Sequence, residues 1–279
     1  ASDVYKRQIL PVVKAARRIG VPILVQPHGA MPIVINSFLV KRLYDWLLGK
    51  WELAGISALI ALQESERQQA IALGVPAEKI VIIPNGLDIS EREKIPPKGT
   101  FRQRFAIPEE KSLLLFLGRI NRKKGVDMLV EAFSQLSDID ANLVIAGPDD
   151  GQLTEVQRLV KHYGLEDKVI FTGLLTGNYV MAAYQDADLF ILPCRTDTFP
   201  TTMMEACLAE TPMVITDRCE IAHLVKDRVA EVVPFDAQAF AQGMRRLLCD
   251  QQLYKKYREN CSLLMQDTFS LQALSLIHI

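Results

Sequence analysis

The chain has 279 residues, 49% of them hydrophobic, and a formal net charge of −1 at pH 7. That length suits two domains of ordinary size, or one whole domain and part of another. The even charge balance offers no basic surface for nucleic acid, and no uninterrupted apolar run is long enough to span a bilayer.

The two ends stand apart from the rest. Asp3-Val-Tyr-Lys-Arg-Gln8 and Leu274-Ser-Leu-Ile-His-Ile279 can be written as GAT GTG TAT AAG AGA CAG and CTG TCT CTT ATA CAC ATC. Each string is the reverse complement of the other, and both look like the transposon end used to build sequencing libraries. Residues 1–8 and 274–279 are therefore expected to be adapter-derived scars on a fragment cut at both ends. They are kept out of the fold argument.

Within 9–88, strand-like runs at 22–26, 58–62 and 80–83 alternate with helical stretches. A parallel sheet of three strands is small and leaves an edge uncovered, which suits the back half of a Rossmann-like domain. The stretch 38–51 carries Lys41, Arg42, Lys50, Trp46 and Trp51. It suits a membrane surface or, preferably, packing against the absent part of that sheet. Residues 89–110 are charged, hold Pro96, Pro97 and Pro108, and read as a linker.

From 111 to 273 strands and helices alternate. Strands are expected at 113–117, 143–146, 169–171, 189–192, 213–215 and 230–233, and helices at 126–136, 153–163, 179–187, 202–209, 222–227 and 237–248. Short apolar strands separated by amphipathic helices imply a parallel sheet covered on both faces. Its ligands belong beyond the carboxyl ends of the strands. The five cysteines form no C-x-x-C pair and read as reduced structural thiols of a cytoplasmic protein.

Two motifs lie at that end of the sheet. Gly118 and Arg119 end one strand, and Lys124-Gly125 opens the next helix. Cations beside a helix N-terminus suit a diphosphate, because free N–H groups and the helix dipole already favour an anion. The second motif, Asp197-Thr-Phe-Pro-Thr-Thr-Met-Met-Glu205, sets two carboxylates where another loop enters another helix, as sugar and ribose hydroxyls require. Competing readings are a solvated basic face for Arg119 and Lys124, helix capping for Asp197, and a satisfied loop histidine for His28. Asp138 and Asp140 precede a strand, at the wrong end of the sheet for a metal–nucleotide site. Asp149 and Asp150 follow a strand, where a cleft role is open, but Pro148-Asp-Asp-Gly151 is ordinary turn chemistry.

Together with Pro27-His28-Gly29, Ile83-Pro84-Asn85-Gly86 and Thr211-Pro212, these motifs make nearly the whole chain resemble family 4 retaining glycosyltransferases of the two-domain GT-B fold. The resemblance implies an α/β architecture, with a complete C-terminal Rossmann-like donor domain and half of an acceptor-side domain. Arg119 and Lys124 match the pair gripping the donor diphosphate, and Glu205 the ribose-binding carboxylate. Asp197 stands where glutamate usually contacts the transferred sugar. Thr198, Phe199 and Thr201 match backbone lying against that sugar, with Gly118 beside the phosphates, and His28 matches a cleft histidine facing sugar and acceptor. No metal or other cofactor is implied. The partners are a nucleotide sugar and a saccharide or lipid-linked saccharide acceptor, with peripheral contact at the inner membrane face as an alternative location.

Several positions depart from the family pattern. Pro200 and Glu210 replace frequent glycines, Cys219-Glu220 stands where paired glycines are common, and His223 where glutamate is common. The family's glycine-rich closing loop would precede residue 9, so the chain as given is expected to lack transfer activity. Rival readings are a GT-B sugar-nucleotide epimerase or phosphorylase, a glycosidase using Asp197 and Glu205 as its acid–base pair, and a non-catalytic nucleotide-sugar-binding fragment.

Overall fold

The structure, a computed structural model, describes residues 15–28 and 56–277. The 1–8 and 38–51 stretches and residues 278–279 lie outside the described residues. The chain forms two compact units, Ala1–Asn85 and Gly86–Ile279.

In the first unit, β1 (Leu24–Val25), β2 (Ala58–Ala61) and β3 (Ile80–Ile82) pair in parallel in that order, with α1 (Glu64–Ala72) following β2. Leu59, Ala61, Ala70, Val75 and Ile80 form its core. The edge strand is shorter than the 22–26 run suggested. Only Leu24 and Val25 pair with β2, Pro22 has no N–H to donate, and Leu24 stays 67% exposed.

The second unit holds six parallel strands: β4 (Ser112–Leu117), β5 (Ala141–Ala146), β6 (Val169–Gly173), β7 (Leu189–Leu192), β8 (Met213–Thr216) and β9 (Ala230–Val233). Their order is β6-β5-β4-β7-β8-β9. Leu113, Leu114, Leu115 and Phe116 are all fully buried, because helices cover both faces of a parallel sheet and every position of a central strand must be apolar. Each such side chain contributes about 1.5–3 kcal/mol of burial.

The helices are α2 (Thr100–Arg104), α3 (Val126–Ser134), α4 (Leu153–His162), α5 (Asn178–Asp186), α6 (Thr201–Leu208), α7 (Ala222–Val225), α8 (Ala237–Cys249), α9 (Gln251–Leu264) and α10 (Leu271–Ile277). Helix α3 shows the sequence logic: Val126, Leu129, Val130 and Phe133 fall on one side at i, i+3, i+4 and i+7 and are buried against the sheet. Helix α8 is started by Asp236, whose side chain accepts from the Ala239 N–H at 2.9 Å.

Three expectations need correction. Residues 99–107, expected within a linker, belong to the second unit. Phe101 is fully buried, and the buried Asp186 carboxylate accepts from the N–H groups of Gly99, Phe101 and Arg102 at 2.5, 2.7 and 2.9 Å. That cap comes from more than 80 residues away, so local proline content hid it. Helices α9 and α10 continue the fold beyond 248. Leu274, expected outside native packing, is only 7% exposed and lies against Gly86.

All five cysteines are free thiols; Cys194, Cys207, Cys219 and Cys261 are buried and Cys249 is exposed. No described helix is long and apolar enough to cross a membrane.

Candidate donor site

The strand order reverses between β4 and β7, and in open parallel sheets the crevice at such a reversal receives the ligand. The loops leaving these two strands carry the two sequence motifs. They approach closely because Gly125, at φ 67°, has no side chain. A Cβ built there would lie 2.0 Å from the Pro193 carbonyl oxygen. Gly147, at φ 143°, does the same for the β4–β5 pair, where a Cβ would lie 1.9 Å from the Gly118 oxygen.

After β4 the chain continues beside the loop following β5: the Gly118 N–H donates to Ala146 at 2.9 Å and the Ile120 N–H to Pro148 at 2.9 Å. Arg119 projects outward and pairs with Asp150 at 3.0 Å, both partly exposed. The Asn121 amide also donates to that carboxylate, at 2.8 Å. Asn121 Oδ1 in turn accepts from the Lys124 N–H at 3.1 Å, capping the single turn Arg122–Lys124. Lys124 Nζ donates to Asp197 Oδ2 at 2.5 Å, with side-chain exposures of 22% and 15%.

The backbone of Asp197 is tied to the loop after β8, its carbonyl accepting from the Glu220 N–H at 2.9 Å. Thr198 leads to Phe199, whose ring is buried edge-on against Phe269, with centroids 6.1 Å apart. Phe199 thus anchors its loop from the inside. Pro200 precedes α6, where its missing N–H costs little, and Thr201 is exposed in the first turn.

Glu205 lies one turn along α6 and accepts from the Tyr184 hydroxyl at 2.9 Å. Burial raises the Glu205 pKa above the usual carboxylate value, and the Tyr184 hydrogen bond offsets this only in part. Burial, then the Glu205 charge, also holds the Tyr184 hydroxyl well above an ordinary phenol. A carboxylate this dehydrated is poised to accept hydroxyl donors from a ligand.

The structure therefore brings Gly118, Arg119, Lys124, Asp197, Thr198, Phe199, Thr201 and Glu205 onto loops and a helix start at one end of one sheet. His28 belongs to the first unit, exposed in a turn after β1 at φ 49°. Of the other acidic residues, Asp149 accepts from the N–H groups of Gly151, Gln152 and Leu153, Asp138 pairs with Arg245, and Asp140 lies 3.6 Å from Lys111, whereas Asp150 meets the site through Arg119. Among the described residues, no three His, Cys, Asp or Glu side chains gather as metal ligands. Sequence reading missed Tyr184, Arg195 and Phe269. Tyr184 sits in an Ala-Ala-Tyr run that resembles ordinary core, and the other two act through partners distant in sequence.

A doubly wound donor-type domain with this loop chemistry matches known proteins. The family model described as "Glycosyl transferases group 1" matches residues 97–262, and "Glycosyl transferase 4-like domain" matches residues 5–86. The chain belongs to the group 1 glycosyltransferases, and its architecture is GT-B.

It is 25% identical over 270 residues to alpha-D-kanosaminyltransferase of Streptomyces kanamyceticus, covering 92% of this chain and 69% of that protein. It is 27% identical over 203 residues to an uncharacterized glycosyltransferase of Methanocaldococcus jannaschii, covering 69% of this chain and 51% of that protein. The chain thus spans about half to two thirds of the length of these relatives. Among solved structures, HepE of Anabaena in complex with UDP superimposes with a TM-score of 0.81 at 17% identity, covering 98% of this chain and 75% of that one.

Proposed function

We propose that the full enzyme transfers a hexose from a nucleoside diphosphate sugar to a hydroxyl, with retention at the anomeric carbon, during polysaccharide or glycolipid synthesis at the cytoplasmic side of a membrane. The observation that carries this reading is the meeting of Lys124 and Asp197 where the sheet order reverses, with Arg119 just after β4 and Glu205 one turn along α6 at the same end of the sheet. Arg119 and Lys124 take the diphosphate, Glu205 takes ribose hydroxyls, and Asp197 takes the transferred sugar. The backbone of 198–201 lies along that sugar. The HepE structures with UDP and with UDP-glucose support this class of ligand.

In this reading, charge on the departing diphosphate is met by fixed cations and the start of α3, which need no reorganisation as the bond breaks. No divalent metal is required. The leaving phosphate oxygen takes the acceptor proton, so no protein nucleophile is assigned. His28, carried by the family resemblance alone, contacts sugar and acceptor. The test is calorimetric titration of the chain with uridine, guanosine, adenosine and thymidine diphosphates in excess EDTA. Saturable binding by one of them, weakened in Arg119→Ala and Lys124→Ala, is expected. Binding that needs magnesium, or that ignores both substitutions, overturns the assignment.

A further inference from the structure

Behind the Lys124 turn lies a set of contacts that the donor reading does not use. Arg195 leaves β7 two residues before Asp197, and its main-chain N–H donates to the Lys123 carbonyl at 2.8 Å. Its Nη1 donates to the Arg122 carbonyl at 2.7 Å and to Asp127 Oδ1 at 2.8 Å, and its Nη2 donates to Asp127 Oδ2 at 2.7 Å. The guanidinium also lies 4.7 Å from the centroid of the Phe235 ring. The outer face of this cluster borders a groove of about 720 Å³, lined in part by Asp127, Arg195, Phe235 and Asp236.

One residue thus ties down both sides of Gly125: its main-chain N–H holds the Lys123 carbonyl, and its guanidinium holds the Arg122 carbonyl and a carboxylate in the first turn of α3. The turn needs such a tie. It places three successive cations, Arg122, Lys123 and Lys124, within one turn, and like charges so close repel. We propose that Arg195, clamped on Asp127, is a positioning residue that holds Lys124 and the start of α3 in the geometry a diphosphate requires. This rests on the donor-site reading above.

The loop after β7 then grips the Lys124 turn in two ways with different fates. The Lys124–Asp197 contact is a single ammonium bond that a diphosphate can exchange for itself. The Arg195 fork is bidentate, stacked on a ring and 31% exposed, so it persists while the exchange occurs. A lysine cannot reproduce that fork. Consistent with a tight pair, burial by itself would raise the Asp127 pKa, yet the Arg195 hydrogen bonds and charge bring it below the ordinary value.

The test compares the tightest-binding nucleoside diphosphate of the four named above with its own monophosphate, by calorimetry on the full chain. Variants are Lys124→Ala, Arg195→Met, Arg195→Lys, Asp127→Asn and the double Lys124→Ala/Arg195→Met. Arg195→Met is expected to lower the diphosphate-to-monophosphate affinity ratio about tenfold, as coupled neighbours do. Arg195→Lys should recover part of that ratio. The double variant should bind no worse than Lys124→Ala alone, because the clamp acts through Lys124. A melting temperature that falls while the ratio holds, in Arg195→Lys and Asp127→Asn as well, would mark a structural role only and overturn the proposal. Multiplying losses in the double variant would overturn it too. If Lys124→Ala itself leaves the ratio unchanged, the donor-site reading fails first and the clamp falls with it.

Discussion

Lys124 Nζ and Asp197 Oδ2, on residues 73 positions apart, lie 2.5 Å from each other across the gap between β4 and β7. In the proposed donor reading, a diphosphate and Asp197 compete for one ammonium. Asp197→Asn removes the competing charge with little change of shape. Affinity for a nucleoside diphosphate is expected to hold or to rise by roughly 0.5–1 kcal/mol, the worth of a partly exposed pair. Lys124→Ala is expected to lower it by about 1.5–3 kcal/mol. Titration of both variants decides; equal losses in the two would contradict the separate roles of these residues.

Glu205 predicts a pH dependence. Its folded pKa is raised, chiefly by burial, so the native state holds its proton more tightly than the unfolded chain does. Stability from this group is fully present below the unfolded value and declines as pH rises through the raised folded value. Glu205→Gln removes that decline, so its melting temperature relative to the parent is expected to improve from pH 4 to pH 7, while nucleotide binding weakens. Parallel melting curves for parent and variant across that range would count against the raised pKa.

Gly125 has no tolerated substitute. Alanine there would be held at a left-handed φ of 67° with its Cβ 2.0 Å from a backbone oxygen that a side-chain rotation cannot move. Gly125→Ala is expected to cost about 3 kcal/mol or more, combining backbone strain with overpacking. Chemical denaturation measures this directly, and a loss under 1 kcal/mol would show that the two loops can part freely.

Glu210 shows how this chain manages without the family's usual glycine. Helix α6 ends in a motif in which the Glu210 N–H donates to Cys207 and the Thr211 N–H to Ala206, at 3.0 and 2.9 Å. That ending places residue 210 at a left-handed φ of 55°, where glycine is favoured. The glutamate side chain offsets the strain by accepting from Arg92 and from Ser262 Oγ. Glu210→Ala loses these contacts and keeps the strain, whereas Glu210→Gly loses both. The glycine variant is expected to be more stable than the alanine variant by about 1 kcal/mol, as urea unfolding would show.

Much of the second unit was legible because apolar runs and helical periods there are local signals. Strand β7 falls at 189–192 and β9 at 230–233, as expected, and α3 begins at Val126. The end of the sheet that carries both motifs was legible too, since each follows an apolar strand, but the reversal of strand order between β4 and β7 was not. What escaped are pairings between distant residues. Asp186 capping α2 and Tyr184 serving Glu205 leave no mark on periodicity, because a buried polar group matters only through a partner that folding supplies. Arg195 carries no local signal for the same reason. Helix α9 was missed where polar content diluted the pattern, although Tyr257 and Cys261 are buried, and α10 because residues 274–279 were kept out of the fold argument.

The pairing of Leu87 with the last turns of the second unit has a topological consequence. The Leu87 N–H donates to the Phe269 carbonyl at 2.9 Å, and the Leu271 N–H donates to the Leu87 carbonyl at 3.2 Å. Leu87 and Ser270 therefore lie one ladder spacing apart, about 4.8 Å. Such a unit can be circularly permuted. Joining the 271–277 helix to Gly86 through a short glycine-serine connector, and opening the chain within the exposed 174–177 loop, would leave every strand neighbour and both donor loops in place.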